Sequence, residues 1–131
     1  MAKNDIDELT ELGQFLRDAF PKILVRVEWA MFYDDENMYR GYSKVVYEDS
    51  KYNFRIPDFM LIDKESKKLL GCIEIDGSIH DVHVDDTDKR NKLYDDLNIN
   101  LKVINKTLLK IEKTSIFDII YRYAEEICKE E

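Results

Sequence analysis

Asp58, Glu74 and Asp76 carry chemical potential beyond packing. Asp58 follows Pro57 in Arg-Ile-Pro-Asp-Phe, and Glu74 and Asp76 flank Ile75 in Ile-Glu-Ile-Asp-Gly. Phe54 to Asp63 and Leu69 to Asp76 are rich in apolar residues and read as strands. The strand period of two puts Glu74 and Asp76 on one face. The polar run Lys64-Glu65-Ser66-Lys67-Lys68 predicts a hairpin connection, which brings Asp58 beside the other two. A lone acid of this kind is ordinarily solvated on a surface or placed at a turn. Three together differ: two like charges about 5 Å apart repel by roughly 3 kcal/mol at an effective dielectric near 20. In a site shielded from water, one of them would be protonated instead, at further cost. A hard cation, Mg²⁺ or Mn²⁺, relieves the repulsion because it prefers oxygen ligands. A cation held there can polarise an oxygen ligand and acidify a bound water.

His80 and His83 are the two histidines, and both lie just past Gly77. Solvated loop histidines are the ordinary reading. An imidazole near the acidic pair is also suited to general acid or base work at neutral pH. A zinc site from these two lacks a cysteine pair to complete it. The aromatics Tyr42, Tyr47, Tyr52 and Phe54 read as strand-filling side chains, with base stacking as the alternative.

The same residues resemble a known family. Ile56-Pro57-Asp58, then Ile73-Glu74-Ile75-Asp76-Gly77-Ser78-Ile79-His80, then Asp86-x-x-Lys89-x-x-x-Leu93, are similar to the PD-(D/E)XK nuclease superfamily. More narrowly, they resemble its short endonuclease-like members related to very-short-patch-repair endonucleases. The resemblance spans about residues 54–104. It implies that Asp58 and Glu74 ligate the metal together with the backbone carbonyl of Ile75, and that the reaction is hydrolysis of a phosphodiester, the metal neutralising a phosphate oxygen and acidifying a bound water, with a 5′-phosphate left. Asp76 stands where the common motif has Lys, although the related subgroup also carries Asp there. It would then bind metal or position water. Lys89 or Arg90 would supply the positive charge, and the two alternatives stay open. His80 falls on the histidine of the subgroup pattern, and His83 is accessory. In the leading helix, Glu11 is the better match for an accessory acid and Glu8 the second.

These residues need elements to hold them. Ile6, Leu9, Leu12, Phe15, Leu16 and Ala19 recur at helical spacing before Pro21. Ile23 to Tyr33 predicts a strand, Asp34 to Asn37 a turn, and Tyr42 to Tyr47 a returning strand. Leu69 to Asp76 is the most apolar strand and is expected at the centre. Asp85 to Leu97 predicts a helix with Leu93 and Leu97 on one face. Leu101 to Ile104 predicts a short strand. Thr114 or Ser115 caps a last helix striped by Ile116, Ile119, Ile120, Tyr123 and Ile127. The expected fold is α/β. The resemblance narrows it to a restriction-endonuclease-like α-β-β-β-α-β core, a mixed central sheet flanked by helices, with an extra C-terminal helix, in a single domain over residues 1–131.

Composition bounds the rest. At 131 residues there is room for one core, and 44% hydrophobic residues are enough to form it. No apolar run approaches the roughly 18 residues of a membrane span. The opening Met-Ala-Lys-Asn-Asp lacks a signal-peptide pattern. Cys72 and Cys128 are too few for a disulfide framework, and Cys72 reads as a small core residue. A cytoplasmic protein without membrane contact is expected. The net charge of −8 opposes general coating of nucleic acid, but phosphates feel the local field. Lys89, Arg90, Lys92, Lys102, Lys106, Lys110 and Lys113 form the basic stretch nearest the acids. The expected partner is nucleic acid, DNA ahead of RNA, with a homodimer or partner protein for targeting. Three further readings stand beside the endonuclease: a catalytically inactive nuclease-fold binding or regulatory protein, a Holliday-junction-resolvase-like dimer, and an interaction module whose acidic surface mimics nucleic acid.

Overall fold

The computed structural model describes residues 3–46, 51–77 and 84–129. The chain order is α1 (Lys3–Ala19), β1 (Ile23–Val27), β2 (Ala30–Tyr33), β3 (Tyr39–Ser43), β4 (Asn53–Arg55), β5 (Phe59–Asp63), β6 (Leu69–Asp76), α2 (Val84–Asp96), β7 (Asn100–Asn105), α3 (Lys106–Glu112) and α4 (Ile116–Lys129). The fold is mixed α/β with two sheets. The larger sheet runs β1-β5-β6-β7, and the smaller runs β3-β2-β4. β1, β5 and β6 are antiparallel neighbours, whereas β7 lies parallel to β6. A parallel neighbour requires a crossover, and α2 provides it.

Strand alternation sorts the core into two clusters. Val25, Phe59, Leu61 and Ile73 face one way and meet Leu9, Leu12 and Leu16 of α1 and Ile120, Ala124 and Ile127 of α4. Met60, Ile62 and Cys72 face the other way and meet Tyr94 and Leu97 of α2 and Met31 of β2. The larger sheet is therefore covered on both faces, by α1 and α4 on one and by α2 and the small sheet on the other. Such double coverage explains why β6 is nearly all apolar before Glu74. Among the described residues, no helix is long and apolar enough to cross a membrane.

Two expected strands are each broken in two. Ile23 to Tyr33 divides at Glu28, whose backbone is left-handed at φ 57°. That conformation cannot continue a strand and turns β2 out of the larger sheet. Phe54 to Asp63 divides at Ile56-Pro57-Asp58, so β4 pairs with β2 and β5 pairs with β1 and β6. Pro57 is buried and has no N–H to give a ladder. The returning strand lies earlier than expected, at Tyr39–Ser43, and Tyr47 falls outside the described residues. The turn before it is held by Asp34, whose side chain accepts from the N–H groups of Glu36 and Met38. Ser115 Oγ accepts from Phe117 N at 3.2 Å at the start of α4. The short helix α3 was not expected. Asn105 caps it by accepting from Leu108 N, and it contributes no buried residue to the core.

Candidate carboxylate site

The end of β6 carries the site. The last β5 partner of β6 is Phe59, opposite Ile73, while β7 continues alongside as far as Asp76. The N–H of Ile75 therefore has no strand partner on the β5 side. Asp58 fills that place: its Oδ2 accepts from Ile75 N at 2.7 Å. The carbonyl of Asp58 in turn accepts from Glu28 N at 3.0 Å. The break at Pro57 and the left-handed turn at Glu28 thus converge on Asp58 and aim its carboxylate across the end of β6.

Glu74 and Asp76 share one face, as the period of two requires, and that face looks toward α2. Glu74 is buried, and both its oxygens are engaged. Arg55 donates to it in a fork, Nε to Oε2 at 2.9 Å and Nη2 to Oε1 at 2.8 Å. Tyr94 Oη donates to Oε2 at 2.9 Å. Asp76 receives Arg90, whose Nη1 lies 2.9 Å from its Oδ1 and 3.9 Å from Oε1 of Glu74. Arg90 is itself buried. Two guanidiniums thus stand among three carboxylates, which leaves the group with one net negative charge when all ionise.

The excess charge is felt at Asp58. Burial pushes its pKa up to about 6, and the negative charges of Glu74, Glu28 and Asp76 add to the rise. The Ile75 hydrogen bond opposes it. Arg55 is raised as well, held firmly protonated by its hydrogen bonds to Glu74. Tyr94 is also raised, mainly by burial, so its hydroxyl remains a donor to Glu74.

The sequence-predicted residues separate into groups. Asp58, Glu74, Asp76 and Arg90 come together. Of the two basic candidates on α2, Arg90 faces the acids, while Lys89 is exposed on the helix. Glu11 is exposed on α1, and Glu8 pairs with Lys106 Nζ at 2.7 Å. The acid that acts on Asp58 from outside β6 is Glu28. His80 and His83 lie outside the described residues. Three participants escaped the sequence reading: Arg55, Tyr94 and Glu28. Tyr94 follows Arg90 by four residues, the spacing that shares a helix face. A buried Glu also demands a counter-charge, and Arg55 is the basic residue that leads into Ile56-Pro57-Asp58. Glu28 had no such signal.

The donor chemistry, hard carboxylate oxygens at one sheet end, suits Mg²⁺ or Mn²⁺. The side-chain arrangement does not present it freely, because Arg55 and Tyr94 occupy both oxygens of Glu74. Among the described residues, no group of three or more His, Cys, Asp or Glu side chains is disposed to hold a metal ion. Comparison with known protein families, with curated proteins and with solved structures finds no match in any of the three.

Proposed function

We propose that this chain is a metal-dependent endonuclease of the PD-(D/E)XK kind that hydrolyses phosphodiester bonds in nucleic acid, DNA before RNA. The observation that carries the reading is the meeting of Asp58 and Glu74 at the end of the central strand, with negative charge left uncompensated at Asp58. The element order α1-β1-β5-β6-α2-β7, with β2 to β4 as an insertion, supports a restriction-endonuclease-like core.

Asp58 and Glu74 would hold the cation. When bound, it would neutralise a phosphate oxygen and make a water acidic enough to attack. The chain's own groups supply the rest. The raised pKa of Asp58 makes cation binding there compete with a proton below about pH 6. Arg90 is fixed by Asp76 and provides the charge that a motif lysine gives elsewhere. Arg55 is the more exposed donor of the two, with one-third of its side chain accessible on a three-residue strand. Released from Glu74, it would be placed to bind phosphate.

The forked hold of Arg55 on Glu74 favours a second reading, a nuclease scaffold that binds without cleaving. One experiment separates the two. The protein is incubated with single-stranded, nicked, branched and duplex DNA and with RNA, in Mn²⁺ or Mg²⁺ and in chelator. An enzyme cleaves only with metal, and both Asp58→Ala and Glu74→Ala abolish the cleavage. Absence of metal-dependent cleavage of every substrate leaves the binding protein.

A further inference from the structure

A polyanion needs a surface where cations outnumber acids, and a net charge of −8 makes such a surface scarce. The lysines that follow the acidic strand in sequence do not all provide one. Lys102 lies 3.2 Å from Glu126, and Lys106 lies 2.7 Å from Glu8. A groove of about 340 Å³ along the outer strand β1 does. Arg17, Arg26 and Lys64 line it, and no acid does.

The three cations reach this groove from different elements. Arg17 comes from α1, on one face of the sheet, and donates Nη2 to the carbonyl of Val25 at 2.8 Å. Arg26 is the next residue along β1 and so projects from the opposite face, where its guanidinium lies 4.7 Å from the Trp29 ring centroid. The Nε of Arg26 is buried without a hydrogen-bond partner. Lys64 follows Asp63, which stands opposite Ile23, and so closes the far end. The acids next to Arg17 and Lys64 in sequence turn to local donors: Asp18 accepts from Gln14, and Asp63 from Ser66 N.

We propose that this groove is a binding track for the phosphodiester backbone of a nucleic-acid strand, leading it toward Asp58. Arg26 pairs with Met60, two residues from Asp58, so the track begins beside the carboxylates. From Arg26 to Ile23 the strand covers about 10 Å. That length matches roughly three phosphates along the axis of a B-form strand. The choice of nucleic acid as ligand rests on the proposed nuclease activity; the cationic groove itself does not.

Binding is measured in chelator, by fluorescence anisotropy of labelled single-stranded and duplex DNA over a salt series. Lys64→Gln should weaken binding a few-fold and lower the salt slope by about one, and Lys64→Glu should weaken it further. Arg17→Gln should act in the same direction. The paired substitution Lys102→Gln with Lys106→Gln should leave affinity within about two-fold. Lys64 is exposed, so its variants test the groove without threatening the fold. The proposal fails if Lys64→Glu binds like the parent, if the Lys102 and Lys106 pair loses as much, or if the parent binds neither DNA at low salt. Chelation separates this from the activity. Cleavage that persists while binding ignores Lys64 refutes the track alone, and Lys64-dependent binding without any cleavage in metal refutes the nuclease alone.

Discussion

Asp58 does two jobs whose demands conflict. Its oxygen replaces a missing strand partner for Ile75, which any acceptor of that shape would satisfy. Its charge has no such structural use and sits near three other acids. A folded pKa raised from the ordinary carboxylate value to about 6 has a definite sign in stability. The folded protein holds this proton where the unfolded chain has lost it. The resulting stability is complete below about pH 4, is lost as pH rises to about 6, and stays lost above. The loss is on the order of 1–2 kcal/mol after allowance for partial exposure. Asp58→Asn keeps an acceptor for Ile75 and removes the charge. Thermal melts should therefore show it as stable as the parent at pH 4 and more stable by on the order of 1–2 kcal/mol at pH 8. A variant that melts lower than the parent at pH 8 contradicts this account. The convergence of Asp58 with Glu74 and Asp76 was legible because it follows from strand period and one hairpin. Their partners were not, because Arg55, Tyr94 and Glu28 reach the site from elements whose positions only the packing decides.

At the scale of elements, β6 was legible to both ends because double burial imposes one apolar run, and Gly77 follows its last residue. The neighbouring strands were legible in type but not in extent. Their breaks depend on Glu28, which carries no turn signal, and on a Pro57 that looked tolerable near a strand start. The same central position of β6 gives Gly71 its role. A Cβ there would lie 2.8 Å from Cγ2 of Ile127 on α4 and 2.9 Å from the carbonyl oxygen of Asn100 on β7. The Ile127 side chain can turn aside at some cost, but the backbone oxygen of Asn100 is fixed by the ladder. Gly71→Ala should therefore push α4 or β7 off the sheet and cost about 1–3 kcal/mol. Chemical denaturation should report a lower midpoint at an unchanged slope. An unchanged midpoint would mean that α4 is not seated on β6 as described.

At the scale of the whole molecule, the ion pair of Arg55 with Glu74 ties the two sheets together at the site. Arg55 belongs to β4 in the small sheet, and Glu74 to β6 in the large one. The pair thus couples sheet packing to the state of the carboxylates. Arg55→Met keeps an apolar stem and removes the fork. Without metal, Glu74 is left buried with Tyr94 as its close donor and Arg90 at 3.9 Å. The cost should be on the order of 2 kcal/mol, read as a lower Tm. Amide exchange should also speed up in β2 and β4, whose tie to the larger sheet is cut. The carboxylates become more negative at the same time, so Mn²⁺ should bind several-fold tighter in calorimetry than it does to the parent. Binding to the folded form alone then recovers part of the lost Tm, in proportion to the logarithm of the Mn²⁺ concentration. The two halves of the prediction point in opposite directions, which makes it decisive. A variant that is destabilised and gains no Mn²⁺ affinity identifies the cluster as a purely structural ion network. A variant that gains affinity and regains stability with Mn²⁺ identifies Arg55 as the group that stands in for the cation.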